Sequence, residues 1–217
     1  FKPGEMITFD LGGPFVRSRS GCLYHLFFVD QGSDYVYARY MFRKSMTTKL
    51  ITEVRNMVER QTGRKVKIEM CDLGGENVDH RHLDECKALG IRMQGAGPRA
   101  PQQIGKVERL NKTIDELTAA CMHHANAPPS FWQDCMENVV FVHNNKGYIQ
   151  QDGEWVSRRD VLEGTQRIFD PKMFRAFGCA AWGYLPKLSR SGGKSHMQLK
   201  ARVGIMLGIH PERNVYV

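Results

Sequence analysis

The sequence predicts an α/β fold, a mixed five-stranded sheet flanked by helices, and two observations support it. Three strand-like runs stand together near the start of the chain, at residues 5–11, 21–30 and 34–42, and a turn rich in Gly, Pro and Ser separates the first two. Beyond them, helical and strand-like periods alternate. Strands that first pair as neighbours and then alternate with helices form a mixed sheet with helices on its faces.

The remaining elements follow from their own patterns. GCLYHLFFVD is nearly all apolar, which is typical of a central strand. The first helix is predicted from Ser45, a common N-cap residue, to Gly63, a common stop. VKIEMC then gives the fourth strand, VDHRHLDECKALG a short helix and IRMQ the fifth strand. Two longer helices are predicted at residues 105–126 and 129–146, with Trp132 packed in the core.

The pattern changes again after residue 147, and this divides the chain into three parts. Residues 1–147 form the predicted core, and residues 148–170 form a linker that contains one short helix, SRRDVLEG. Residues 171–217 contain short strand candidates punctuated by Gly, and the chain stops as a strand begins. This last segment is therefore expected to be a small, incomplete β segment.

Positive charge is concentrated in that last segment. Residues 171–217 carry eight Lys and Arg against Glu212 alone, whereas residues 1–170 carry 23 basic and 22 acidic residues. A neutral body with a basic tail favours a polyanion partner, most simply nucleic acid, although a solvated surface is the alternative. The tail residues predicted to contact nucleic acid are Lys187, Arg190, Lys194, Lys200 and Arg202.

Other features of the composition narrow the function classes. The six cysteines form no close pair, which indicates a reducing, intracellular compartment and buried thiols. No C-x-x-C accompanies the histidines, and His80, His82, His123 and His124 have no partners at zinc-finger spacing, so the sequence predicts no zinc site. No membrane partner is expected, because no apolar run approaches the roughly 18 residues that a membrane span requires.

Three acidic residues stand at positions that suit catalysis. Asp10 ends the strand-like run EMITFD, and Asp72 ends the run VKIEMCD. Glu108 lies in the first turn of a predicted helix, with 35 residues between it and Asp72. Two strand-end aspartates and a helix-start glutamate are what a two-metal phosphoryl-transfer site needs. The alternative for Glu108 is a carboxylate that only complements the positive end of the helix dipole.

The surroundings of Glu108 supply a loop and several cations. The segment Gly95–Ile104 is rich in Gly and Pro and is predicted to be a flap over the site, with a plain connector as the alternative. Arg99 within it is a candidate DNA contact. Lys112 lies one turn after Glu108, so it is predicted to hold a DNA phosphate; the alternative is a Glu108–Lys112 ion pair. The basic residues at this helix start are Lys106, Arg109 and Lys112.

The motifs around the acids resemble those of a known family. FDLGGPF surrounds Asp10, CDLGGEN contains Asp72, and GPRAPQQIGKVERLNKT surrounds Glu108; FWQDCMENVVFVHN, FRAFGCAAWGY and ARVGIMLGIHPERNVYV match as well. From about residue 4 to its end, the chain resembles the integrase core of a copia-type LTR retrotransposon, within the ribonuclease-H-like group. The sequence departs from the family pattern at Leu73, where Asn is usual, and at Asn77, where an aromatic residue is usual.

The resemblance implies a fold and an activity. It implies a ribonuclease-H-like core followed by an SH3-like barrel in residues 171–217. The implied reaction is 3′-end processing of retroelement DNA and its strand transfer into target DNA. Two Mg²⁺ or Mn²⁺ ions would be held by the three acids, with Asp10 bridging both ions and Asp72 and Glu108 each completing one site. The implied protein is a homo-oligomer that binds retroelement DNA ends and target DNA, acting in the nucleus after residence in a cytoplasmic particle.

Two alternatives remain open. One is a catalytically inactive relic, or a domesticated domain, that binds DNA through its basic tail. The other is a different ribonuclease-H-like nuclease. The intact acids favour an active integrase over the first, and the PQQIGKVERLNKT flank and the basic tail argue against the second.

Overall fold

The computed structural model describes residues 1–71, 80–95, 101–151, 154–165, 172, 174–184 and 200–209. The strands of the core are β1 Met6–Gly12, β2 Tyr24–Asp30, β3 Val36–Met41, β4 Ile68–Met70 and β5 Arg92–Gln94. Its helices are α1 Thr47–Thr62, α2 His80–Ala88, α3 Pro101–His124 and α4 Trp132–Asn145. The later elements are β6 Gly147–Gln151, β7 Glu154–Ser157, α5 Arg158–Glu163, β8 Ala180–Tyr184 and β9 Ala201–Ile205.

The core strands form one mixed sheet in the order β3-β2-β1-β4-β5. β1, β2 and β3 pair antiparallel in sequence order, while β4 runs parallel to β1 and β5 runs parallel to β4. The parallel strands require crossover connections, which α1 and α2 supply. The predicted five-stranded mixed sheet is thus confirmed.

Both faces of the sheet are covered, which explains why β2 is buried along nearly its whole length. Side chains alternate between the two faces of a strand. Leu26 and Phe28 pack on the face that α1 covers, and Phe27 packs on the opposite face with α3 and α4. Trp132 belongs to this second cluster, is 5 % exposed, and donates a hydrogen bond of 2.6 Å from Nε1 to the carbonyl of Val16. Its predicted packing role is confirmed.

The first helix ends as predicted but begins differently. Gly63 adopts a left-handed conformation with φ 65° and donates its N–H to the carbonyl of Glu59. Ser45 does not cap α1, so that prediction was wrong. A turn of 3-10 helix over Lys44–Met46 contains Ser45, and Met46 precedes α1 without a side-chain cap.

The helix that carries Glu108 begins earlier than the sequence indicated. α3 starts at Pro101, within the segment predicted to be a flap, and residues 96–100 of that segment lie outside the described residues. Proline suits the first helical turn because its missing N–H has no partner to lose there. The helix therefore includes PQQI, residues 101–104, which the Gly and Pro content of the segment assigns to a loop.

The segment predicted to be a linker packs against the core. β6 and β7 pair antiparallel, and α5 begins with a capping box between Ser157 and Asp160. Leu162 of α5 is 2 % exposed and joins the cluster under α1. The domain boundaries at 147 and 171 stay predictions. Residues 154–165 nevertheless pack against the core through Leu162.

Part of the basic segment also packs on the core. β8 and β9 form an antiparallel ribbon, and the residues beside it, Phe177 and Met206, are buried. Phe177 packs in the cluster of α4, and Met206 packs on Phe141 of α4. All six cysteines are free thiols. Among the helices described, none has the length and apolarity that a membrane crossing demands.

Candidate active site

Asp10 lies near the end of β1, in the middle of the sheet. Its Oδ1 accepts a hydrogen bond of 2.9 Å from the N–H of Leu11. Its Oδ2 accepts one of 2.6 Å from Nδ2 of Asn111 in α3, and Asn111 is 8 % exposed. Asp10 is therefore held in one orientation by its own strand and by the helix that crosses it.

The electrostatic surroundings of Asp10 involve Glu108. Burial raises the pKa of the Asp10 carboxyl above its ordinary value, and the hydrogen bonds from Leu11 and Asn111 oppose that rise. The negative charge of Glu108 raises the same pKa further, whereas His25 acts in the opposite sense. Asp10 and Glu108 are thus close enough to repel each other, and a bound cation relieves this kind of repulsion.

One stripe of α3 faces the sheet with polar side chains. Glu108, Asn111 and Asp115 are spaced by three and four residues, which places them on one side of a helix. Glu108 is exposed, Asn111 binds Asp10, and Asp115 Oδ1 lies 3.5 Å from Nε2 of His25. One side of α3 thus carries both the exposed Glu108 and Asn111, which binds the partly buried Asp10.

His25 of β2 lies beneath α3, next to Asp115. Its ring is fully buried and stacks on Phe27 and Phe15, with ring centroids 4.1 Å and 5.3 Å away. Gly12 faces it across the β1–β2 pair, and a Cβ at that position would lie 2.1 Å from Nε2 of His25. Gly12 is required at this position because the His25 ring occupies the space that a side chain would fill.

Sequence reasoning did not single out His25, Asn111 or Asp115. For Asn111 and Asp115 a signal was present, since they follow Glu108 at helical spacing. For His25 the sequence offers no signal, because a histidine within an apolar strand is read as part of the core.

The chemistry of this donor set fits a hard divalent cation. Mg²⁺ and Mn²⁺ prefer carboxylate, carbonyl and water oxygens. Besides the two carboxylates, the side-chain oxygen of Asn111 is buried and has no hydrogen-bond partner within the described part of the chain. The third predicted ligand, Asp72, lies outside the described residues. β4 runs parallel to β1 with Met70 opposite Thr8, so the chain leaves β4 at the same end of the strands as Asp10.

The predicted DNA-binding residues of α3 differ in their ion-pair partners and in their exposure. Lys106 forms an ion pair with Asp34, so its charge is partly engaged within the protein. Lys112 is exposed and has its Nζ 3.9 Å from Oε1 of Glu116, one turn onward. The alternative pair with Glu108 is not formed. Arg109 is exposed, as are Lys200 and Arg202 at β9, while Arg99, Lys187, Arg190 and Lys194 lie outside the described residues.

Comparison with known proteins gives one relative by sequence. No protein-family model matches the chain. The "Retrovirus-related Pol polyprotein from transposon TNT 1-94" of Nicotiana tabacum is 28 % identical over 188 residues, which cover 86 % of this chain. The match covers 14 % of that polyprotein, so the chain spans about one seventh of its curated relative.

Solved structures share the fold. The integrase catalytic core of HTLV-2, solved in complex with magnesium, gives a TM-score of 0.52 at 15 % identity over 74 % of this chain and 97 % of that one. The catalytic core of BIV integrase gives 0.51 at 18 % identity over 73 % and 93 %. A chain of the simian T-cell lymphotropic virus intasome gives 0.57 at 16 % identity over 94 % and 70 %.

The sheet order and the helices that cover it therefore define the fold of an integrase catalytic core, which is ribonuclease-H-like. Within that class, the chain is a relative of a retrotransposon Pol polyprotein. The family resemblance and the fold class predicted from the motifs are both confirmed.

Proposed function

We propose that this chain is the catalytic core of a retroelement integrase, which trims the 3′ ends of its DNA and joins them to target DNA. The observation that supports this most directly is the pairing of Asp10 and Glu108. A partly buried carboxylate near the end of β1 is fixed by Asn111, and its pKa is raised by the charge of Glu108, which lies about two turns into α3 on an integrase-core fold.

Asp10, Asp72 and Glu108 are the residues that would hold two Mg²⁺ or Mn²⁺ ions. Bound there, the ions would neutralise phosphate charge and activate the attacking oxygen. Asn111 contributes by fixing the plane of the Asp10 carboxylate, because its amide engages Oδ2. Glu108 is exposed beside it, so the site faces solvent where a DNA end can enter.

The reaction needs no protein nucleophile. In trimming, a water oxygen forms a new P–O bond at the phosphate of the departing nucleotide, as the bond from that phosphorus to the 3′ oxygen of the retained strand breaks. In joining, the freed 3′-hydroxyl forms the bond to a target phosphate, and the target strand's 3′ oxygen departs. Each step forms one P–O bond and breaks another at the same phosphorus, so the protein's contribution is positioning and charge stabilisation.

The proposed DNA contacts are exposed cations on α3 and in the basic tail. Arg109 and Lys112 lie on the helix that carries Glu108, where they suit phosphates near the metals. Lys106 is a weaker contact in this proposal because Asp34 engages it. The basic tail would supply sequence-independent affinity. The multimer would be a homo-oligomer that acts in the nucleus after a cytoplasmic stage, as the predicted family resemblance implies.

Strand transfer with labelled DNA ends and Mn²⁺ tests the proposal. We expect Glu108→Gln, Asp10→Asn and Asp72→Asn to reduce joining to background while the proteins stay folded. Glu116→Gln is the matched control, since Glu116 is exposed on the same helix. A folded Glu108→Gln variant that joins DNA at the wild-type rate would refute the assignment. Wild-type protein that binds DNA but joins none would favour the inactive relic.

A further inference from the structure

A second cluster of metal-ligating side chains lies on the opposite face of the sheet. Glu69 of β4 faces α1, and His82 and Cys86 of α2 lie against it. The three residues are 1 %, 0 % and 1 % exposed. His82 and Cys86 are separated by four residues, which places both on one face of α2. Asp10 faces α3 on the other side of the sheet, so the two groups of acids are separate.

The separations within the cluster are close to those of a metal's ligands. Cys86 Sγ lies 3.4 Å from His82 Nε2 and 3.5 Å from Glu69 Oε2. Zinc–ligand bonds of roughly 2.0–2.3 Å in a tetrahedron place the ligand atoms about 3.3–3.6 Å apart. The third separation, from His82 Nε2 to Glu69 Oε2, is 2.8 Å and would have to lengthen by about half an ångström.

Arg55 leaves the inner oxygen of Glu69 available. Its Nε donates a hydrogen bond of 2.6 Å to Oε1 of Glu69, and its Nη1 donates one of 2.9 Å to Oε1 of Glu85. Oε2 of Glu69 is the oxygen that points to His82 and Cys86. An orienting group on one carboxylate oxygen, with the other oxygen toward the metal, is the usual outer-shell arrangement of a metal site.

The net charge of the buried group formed by Glu69, Glu85 and Arg55 favours the binding of one more cation. Two carboxylates, Glu69 and Glu85, face one guanidinium, so the group carries one excess negative charge when Cys86 is a thiol. Binding Zn²⁺ while Cys86 releases its proton to solvent adds one positive charge and makes the group neutral. Buried charges require such compensation. A proton shared by His82 and Glu69 would neutralise the group equally well, and it is the competing explanation.

We propose that Glu69 Oε2, His82 Nε2 and Cys86 Sγ form a structural Zn²⁺ site, with a water in the fourth position, that ties α2 to β4. Thiolate and imidazole ligands select Zn²⁺ over Mg²⁺. Burial raises the pKa of Cys86 to about 12 in the metal-free protein, so zinc must displace a proton and binds more weakly at low pH. Zinc-finger spacing did not indicate this site in the sequence, because one proposed ligand, Glu69, is a carboxylate on β4 and not a Cys or His close to His82 and Cys86. This inference does not depend on the proposed integrase activity.

Refolding the full chain with Zn²⁺, with Co²⁺ or with EDTA tests the site. We expect stoichiometric zinc to remain after gel filtration and the melting temperature to exceed that of the EDTA sample. Co²⁺ should give tetrahedral d–d bands and a thiolate-to-metal charge-transfer band, which a site of oxygen ligands cannot produce. Mg²⁺ at the same concentration should give neither retention nor a band.

Variants identify the ligands. Cys86→Ser should lose the charge-transfer band and most of the retained zinc. Cys135→Ser is the matched control, because Cys135 is also fully buried but lies on α4, against the backbone of Thr118. Asp10→Asn should keep both signals, which separates this site from the proposed catalytic one. Wild-type protein that refolds equally in EDTA, retains no zinc and shows no band would establish the shared-proton explanation. Zinc retention that is unchanged in folded Cys86→Ser would also overturn the proposal.

Discussion

The side-chain amide of Asn111 donates a hydrogen bond of 2.6 Å to Oδ2 of Asp10, and this contact joins α3 to the end of β1. Because Glu108 precedes Asn111 by one helical turn, the same contact sets the distance between the two predicted metal ligands. The orientation of one carboxylate and the position of the other thus depend on one amide, and replacing that amide tests the arrangement.

Replacing Asn111 by Ala should slow strand transfer more than it weakens the fold. A hydrogen bond to a charged group is worth about 1.5–3 kcal/mol, which corresponds to a rate loss of about tenfold to a hundredfold if the orientation is needed in the transition state. The measurement is the joining rate at saturating Mn²⁺, corrected for the folded fraction.

Asn144→Ala is the control for this variant. Asn144 is also buried, and it exchanges two hydrogen bonds, of 2.9 Å and 2.8 Å, with the backbone of Val36. Its loss should lower the free energy of unfolding but leave the rate per folded molecule unchanged. Equal rate losses in the two variants would show that Asn111 is only a structural residue.

Asp10 could be predicted as a site residue from the sequence, whereas Asn111 could not. Asp10 is predicted because it ends the strand-like run EMITFD and is followed by Gly12 and Gly13; in the structure it lies near the end of β1, which continues to Gly12. Asn111 is one polar residue among several on a long helix, and its partner lies 101 positions away. Only the packing of α3 across β1 brings the two together, so no local pattern could identify the pair.

The helix boundaries show the same limit. Ser45 has the residue type of an N-cap, but it lies within a 3-10 turn, and the N–H of Thr47 bonds to the carbonyl of Lys44 instead. PQQI has the composition of a loop, yet it forms the first turn of α3. Local propensity is a weak prior in both cases, since tertiary packing decides where a helix begins.

Gly12→Ala should destabilise the fold because of His25. A Cβ placed 2.1 Å from Nε2 cannot be accommodated without moving the stacked ring, and forced overpacking of a core costs about 1–3 kcal/mol. Gly204→Ala is the control, since nothing lies within 4 Å of a Cβ there. Urea denaturation measures both free energies of unfolding. Combining Gly12→Ala with His25→Ala should recover part of the loss, and a purely additive double variant would contradict the steric explanation.

Divalent metal should stabilise the wild-type protein, and Asp10→Asn should weaken that response. Burial and the charge of Glu108 both raise the pKa of Asp10, so removing one of the charges should raise the stability of the metal-free fold. Metal that binds only the folded state adds about 2.7 kcal/mol at one hundred times its dissociation constant. Thermal melts in EDTA and in Mn²⁺ test this. Cys86→Ser is the control that keeps the Mn²⁺ response, and an unchanged wild-type melting temperature in Mn²⁺ would contradict the site.

The exposed cations of β9 should contribute to nonspecific DNA affinity. Each phosphate neutralised adds about 0.9 to the slope of log affinity against log salt concentration. Lys200→Gln combined with Arg202→Gln should therefore flatten that slope, as measured by fluorescence anisotropy with a random duplex. Point substitutions are preferable to deleting residues 171–217, because that deletion would uncover Phe141 of α4. A slope identical to that of the wild-type protein would show that these charges only face solvent.

Stability should fall between about pH 6.5 and pH 4 because of His143. Burial lowers the pKa of His143 from 6.5 to about 4, and the positive charges of Arg158 and Lys146 act in the same direction. In this window the unfolded chain binds a proton at this position and the native chain does not, so the free energy of unfolding decreases as pH falls, by at most about 1.4 kcal/mol per pH unit. Urea denaturation across the window measures the slope. His143→Gln should reduce it, while His124→Gln, on the exposed end of α3, should leave it unchanged. The difference between wild type and His143→Gln isolates this residue from the carboxyl groups, which are the same in both proteins. An unchanged slope in His143→Gln would show that His143 is protonated in the native state as readily as in the unfolded chain.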